Sequence, residues 1–263
     1  MKAIKLYMAV VASLLLTACD NIPENERLIY EMPVTAQRTV LIEDFTGQLC
    51  SNCPNATEVI EGLQEEYGDA IVAVGIHSGP LGFKGNSSNI GLATDVGDEY
   101  YNYWQIEHQP MGLVNRRGAK EPLEWTAAVK EELAKPATVA LEGYAQLVDD
   151  NISVQLDMTS IEGPIVGKLQ VWILEDSITA VQRKLDSVTQ QELTIRDYVH
   201  NHVLRTTLNG TWGTDVSISE GDRQTFSYQI AKDAVWNSDQ LSIVAFVHND
   251  DGVLQAFKMK VNY

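Results

Sequence analysis

Cysteine is scarce in this chain of 263 residues: there are three, Cys19, Cys50 and Cys53. From residue 54 onward there is none, so hydrophobic packing alone must hold that part together. Cationic side chains are also few, 19 Lys and Arg against 36 Asp and Glu, for a net charge of -17. That balance argues against nucleic acid as a partner and against electrostatic docking on anionic lipid. Beyond the first 18 residues no stretch is long and apolar enough to cross a bilayer. Nor does any serine, histidine or acidic residue fall in a nucleophile-elbow or metal-binding helix motif, which leaves a hydrolase with little support.

What is present begins with a leader. Lys2 and Lys5 form a charged start and Tyr7 to Leu16 a short apolar run, the pattern of a secretory signal over residues 1–18. The run Leu16-Thr17-Ala18-Cys19 is similar to the lipobox of bacterial lipoproteins, in which the cysteine becomes the lipid-modified N-terminus. The plainer alternative is a cleaved signal with an incidental cysteine. On the first reading Cys19 is the lipid attachment site, residues 19–37 are a polar, acidic tether, and loss of Lys2 and Lys5 with the signal takes the charge from -17 to -19. The membrane is then a partner through the lipid anchor at Cys19.

Residues 38–136 alternate strand-like and helix-like segments, whereas residues 137–263 read as short alternating strands, with Lys135-Pro136 as the seam. In the first half Thr39 to Phe45 is a β-rich run. After Cys53, apolar residues at Ala56, Val59, Ile60, Leu63 and Tyr67 trace a helical stripe ended by Gly68, and Ala70 to Ile76 is the next strand. A βαβ unit with Cys50-Ser51-Asn52-Cys53 at the helix start follows. Unsatisfied N–H groups and the positive end of the helix dipole favour a thiolate there. The pair can cycle between dithiol and disulfide, with Cys50 the attacking thiol and Cys53 the resolving one.

Asp44 lies six residues before Cys50 inside the apolar strand, where a carboxylate is costly unless it is paired or serves a purpose. This arrangement resembles the thioredoxin superfamily. The resemblance implies that Asp44 shuttles the proton of Cys53, and that Pro110, in Gln109-Pro110-Met111, is a cis-proline opposite the cysteines. Glu43 competes with Asp44, because strand alternation turns only one of the two inward; Asp44 as a loop cap and Pro110 as an ordinary trans proline are the plain alternatives. Two features depart from the superfamily: Leu49 stands where tryptophan is usual, and residues 77–104 form a long glycine-rich insert that ends in Tyr100, Tyr101, Tyr103 and Trp104. Leu123 to Leu133 is the closing helix, packing Leu123, Trp125, Val129 and Leu133 on the sheet.

In the second half, runs at 139–148, 152–158, 165–174, 225–230, 241–247 and 253–261 are separated by turn residues, Asn249-Asp250-Asp251-Gly252 the clearest, and suggest an immunoglobulin-like β-sandwich. The connection 177–220 is long for a small sandwich and is expected to fold back on the other half. His200, His202 and Asp197 sit together in it without a cysteine or a third histidine, so no metal site is assigned and no cofactor is expected. The fold expected is thus an α/β thioredoxin-like domain followed by an all-β immunoglobulin-like sandwich domain.

Together the lipobox, the Glu43-to-Gly47 strand end running into Cys50-Ser51-Asn52-Cys53-Pro54, the Gln109-Pro110 turn and Tyr198 to Arg205 resemble the outer-membrane lipoproteins of about 28 kDa found in Bacteroidetes. The resemblance implies a lipid-anchored outer-membrane protein on the periplasmic or cell-surface face. Two functions are carried forward. One is a thiol-disulfide oxidoreductase acting on envelope proteins or with a redox partner protein; the other is a surface-binding or adhesin-like lipoprotein in which Cys50–Cys53 is a structural staple.

Overall fold

A computed structural model describes residues 34–263. The signal segment, Cys19 and most of the tether lie outside the described residues. The βαβ unit forms as its sequence dictates. Strand β1 (Val40–Thr46) is buried along its whole length, helix α1 (Cys53–Tyr67) follows, and β2 (Ile71–His77) pairs parallel to β1. Gly68, at φ 57°, ends α1 in a backbone region that glycine enters freely. Helix α2 (Asp95–Tyr103), capped by Thr94, precedes β3 (Met111–Val114), which runs antiparallel to β1. The edge strand β4 (Ala119–Lys120) is only two residues long. Helix α3 (Pro122–Leu133) then packs Trp125 and Val129 against the same face as Ile60 and Leu63 of α1. Leu123 does not join them: it is 93% exposed, in the first turn on the solvent side.

The remaining strands are β5 (Val139–Val148), β6 (Asn151–Ser160), β7 (Ile165–Glu175), β8 (Ile178–Leu185), β9 (Glu192–His200), β10 (Val203–Thr207), β11 (Thr214–Ile218), β12 (Arg223–Ala231), β13 (Leu241–Asn249) and β14 (Gly252–Asn262). All six runs read from the sequence are strands. They do not close into a sandwich of their own. A single mixed sheet of twelve strands has the order β12-β6-β5-β14-β13-β7-β10-β2-β1-β3-β4, with β11 also on β7. Two layers do pack face to face: Val139, Ile152, Val154 and Leu156 of β5 and β6 meet Leu169, Val171, Ile243 and Ala245 of β7 and β13. Through β10, however, the β7 layer continues into β2 and β1, and a separate β-sandwich domain is not what the structure shows. The joining contact is short, a parallel pairing at Val203 and Gly75 with Gly75 N–H donating to His202 O at 2.8 Å.

The junction is sealed by buried polar groups rather than left as a linker. Asn115 Oδ1 accepts from Leu41 N–H, its Nδ2 donates to Glu132, and its carbonyl accepts from Val253 N–H. Arg38 bonds both Glu132 and the carbonyl of Val253. Buried backbone and charge are thereby paired across the seam, with buried Arg38 Nε left without a protein partner. Residues 34–263 form one compact unit.

Candidate redox site

The cysteines sit where β1 turns into α1. Cys50 N–H donates to Gly47 O at 3.0 Å, and Leu49 N–H donates to Leu81 O at 3.0 Å, so the insert after β2 braces the loop. A β-carbon on Gly47 would lie 2.2 Å from Leu81 O, which leaves glycine the residue that fits. Cys53 is the first residue of α1, and Pro54 follows in the turn that needs no N–H donor. Cys50 and Cys53 are joined as a disulfide, and both are buried, at 2% and 1% exposure.

The two acids of β1 part company as alternation demands, but both are buried, because the sheet is covered on both faces. Glu43, fully buried, meets Arg116 through both carboxylate oxygens at 2.9 to 3.2 Å. The guanidinium in turn stacks over Phe246 at 4.6 Å and lies beside Tyr100, Trp104 and Trp172. Glu43 is therefore half of a structural ion pair. Asp44, 3% exposed, turns to the opposite face, and its Oδ1 accepts no hydrogen bond. Burial without a counter-charge pushes its carboxyl up to about 8.

Asp44 and Cys53 line the same cavity of about 130 Å³, together with Thr46, His77, Tyr198 and His200. The rings of His77 and His200 meet edge to face with centroids 5.2 Å apart. Burial holds His77 well below the usual imidazole range, with His200 and Arg205 adding to the effect, and burial lowers His200 to about 4. Both are neutral at pH 7. His77 Nδ1, His200 Nε2 and Asp44 Oδ1 all lack a protein partner. The cavity exceeds the roughly 10–15 Å³ that one water needs, and the three residues bring polar groups to walls that also carry Pro54, Ile60, Ala73 and Val199.

The Gln109–Pro110 peptide is cis. Register places it at the cysteine end of the sheet, since Met111 pairs with Phe45 and Gly112 with Asp44. Gln109 fixes this turn, donating to Thr46 O at 2.5 Å and Ser78 O at 3.0 Å and accepting from Leu81 N–H. The two histidines read as neighbours in sequence are used separately. Both line the cavity, but His200 packs on His77 while His202 pairs with Asp176 at 2.9 Å; Asp197 is exposed. Among the described residues no group of three or more His, Cys, Asp or Glu is placed to hold a metal ion.

The long connection after Ser177 does fold back on the first half, as expected, but its strands and their place at the cysteines were not read from the sequence. Strands β8 and β9 form a separate two-stranded hairpin that lies along the cysteine loop. Arg183 N–H donates to Gln48 O at 2.8 Å and Leu185 N–H to Ser51 O at 3.1 Å. Buried Gln182 and Gln48 complete the contact from either side. Their one sequence signal is polarity: neither glutamine falls in an apolar run that marks a core.

Fold and site define a mixed α/β protein on one large mixed sheet, carrying a CxxC disulfide at the start of a helix. A family model described as outer membrane protein Omp28 matches residues 97–263, and the chain belongs to that family. The matched span begins within α2, so it takes in Pro110 and the second half but not the cysteines. Among solved structures, HBP35 of Porphyromonas gingivalis is similar with TM-score 0.64 and 14% identity over 88% of this chain and 77% of that one. Protein AGR_C_4864 from Agrobacterium tumefaciens is similar with TM-score 0.54 and 15% identity over 86% and 96%. A domain of the outer membrane lipoprotein Omp28 from P. gingivalis aligns at 24% identity over 48% of this chain and 89% of that one, with TM-score 0.35. No curated protein matches the chain.

Proposed function

We propose that this protein is a thiol-disulfide oxidoreductase of the cell envelope, lipid-anchored to the outer membrane through Cys19 and acting on envelope proteins. One observation carries the reading. A disulfide at the start of a helix shares a cavity with an unpaired, buried carboxyl whose pKa is raised to about 8. A structural disulfide has no use for such a group, and its burial is costly. In the dithiol form, Cys50 as thiolate attacks a partner disulfide, bonding to one partner sulfur and expelling the other as thiolate. That thiolate takes the proton of neutral Asp44; the ionised Asp44 so formed takes the proton of Cys53, and the Cys53 thiolate attacks Cys50 Sγ. The second partner sulfur leaves and receives that proton from Asp44, so two electrons have passed to the partner and Cys50–Cys53 is oxidised. With the partner as donor, the same steps run in reverse. The test is a glutathione redox series on the full chain, with insulin reduction by wild type and Cys50→Ser. A midpoint within the glutathione range and loss of turnover in the variant support exchange.

A second reading has its own observation. Both cysteines are almost wholly buried, which suits a staple in a surface-binding or adhesin-like lipoprotein. A pair that stays oxidised down to about -300 mV would favour it.

A further inference from the structure

The hairpin that lies along the cysteine loop is held in an unusual way for a structural cover. Of its side chains only Ala180 enters a buried apolar cluster, a small one with Leu92 and Val203, and Ile178 packs beside it. No residue from 178 to 200 belongs to the three larger clusters. Apart from the buried His200 ring against His77 at its foot, the grip is polar and concentrated on the cysteine loop. Gln182 Nε2 donates to Cys50 O at 2.9 Å and Gly47 O at 3.2 Å, and Gln48 Nε2 returns a bond to Val181 O at 3.0 Å. A break in the β8–β9 register between Ala180 and Gln182 aims Gln182 at the loop. With the two backbone bonds from Arg183 and Leu185, β8 lies on the loop as an added strand. An exposed pair, Lys184 with Glu58 at 3.2 Å, ties it to α1.

The feet of the hairpin lie side by side. Ser177 (φ 60°) and His202 (φ 57°) flank it in the left-handed region. Ser177 N–H donates to Asn201 Oδ1 at 2.9 Å and His202 N–H to Asp176 Oδ1 at 2.6 Å. These two turns are the element-terminal positions at which a swing of the ribbon would be absorbed.

We propose that the β8–β9 hairpin is a gate latched by Gln182 and Gln48, and that Cys50–Cys53 exchanges only when it lifts. Attack on a disulfide requires approach to sulfur, and with both residues covered the closed form blocks it. Lifting exposes the loop carbonyls of Gln48 and Ser51, which an extended partner segment can occupy in place of β8. The gate rests on the exchange reading for its purpose, while its test does not.

The experiment is reduction of the oxidised full chain by a water-soluble phosphine, followed by thiol trapping and mass. Each event takes one oxygen atom from water onto phosphorus and leaves two thiols, so no catalysis by the protein is involved. Gln182→Ala removes two bonds to the loop and is expected to reduce roughly tenfold faster than wild type, since each bond carries a net weight near one factor of ten or less in an opening equilibrium. Equal rates overturn the gate. Hydrogen exchange in the wild type guards against a misfolded variant: the amides of Arg183 and Leu185 should exchange faster than those of Ile173 and Val244 in the large sheet. Exchange as slow as the sheet also overturns it. Faster phosphine reduction in Gln182→Ala with no insulin turnover in either protein leaves the gate standing and removes the exchange reading.

Discussion

Asp44 gives the sharpest prediction, because its carboxyl is raised from 3.8 to about 8 by burial alone. The unfolded chain ionises near 3.8, so between that pH and 8 the folded state holds a proton that the unfolded state has released. Its contribution is fully present below pH 3.8 and is lost as pH rises through the folded value. At about 1.4 kcal/mol per unit, the neutral carboxyl at pH 7 costs the fold about 4 kcal/mol relative to a group with no shift. Between pH 6 and pH 9 the term changes by about 3 kcal/mol and then levels off. Asp44→Asn keeps the shape and removes the titration. Urea unfolding of the oxidised wild type and of Asp44→Asn should therefore diverge with pH, the variant gaining about 3 kcal/mol on the wild type from pH 6 to 9. The buried histidines are present in both proteins and cancel in the difference. Parallel stability curves across this range would refute the argument, and with it the reading of Asp44 as a proton carrier near neutral pH.

The other perturbations bear on the frame around that carboxyl. Glu43→Gln leaves Arg116 buried without its counter-charge and should cost about 3–5 kcal/mol in urea unfolding; a loss under about 1 kcal/mol would mean that the aromatic cage alone holds the guanidinium. Gly47→Ala drives a methyl into Leu81 O and should cost about 1–3 kcal/mol, whereas an unchanged melting point would show that the segment after β2 gives way freely. His200, with its folded pKa near 4, contributes stability that is present above the usual imidazole value of 6.5 and is lost as pH falls through the folded value. His200→Phe should therefore remove about 3 kcal/mol of the acid sensitivity between pH 6.5 and 4, read from unfolding at those two pH values.

Much of the frame was legible because it is local. The spacing of apolar residues after Cys53, the stop at Gly68, and the alternation of the strands from Val139 to Val261 each reflect burial of one face of one element. The cis peptide at Pro110 came from resemblance, not from any local signal. Glu43 and Asp44 mark where local reasoning fell short. Alternation separates them correctly, but turning only one of the two inward leaves out that both faces of this sheet are covered. Here the second half covers the face that carries Glu43, and Arg116, 73 positions away, supplies the charge that makes burial tolerable.

The larger surprise, one sheet in place of two domains, follows from the same cause. Nothing in Val203 or Gly75 announces that they pair, since a parallel contact one residue long has no pattern to display. What the sequence does carry is the corresponding cost: a run of polar, turn-rich residues from 177 to 220 too long for a sandwich connection. That excess length is spent at the cysteines. Ser177 and His202 turn the chain out of the sheet and back, and the ribbon between them reaches the loop with glutamines and backbone N–H groups rather than with apolar side chains. A permanent cover gains most from buried apolar area, about 25 cal/mol per Å². A cover held by hydrogen bonds gains little net over water, and that small difference is what lets it come off.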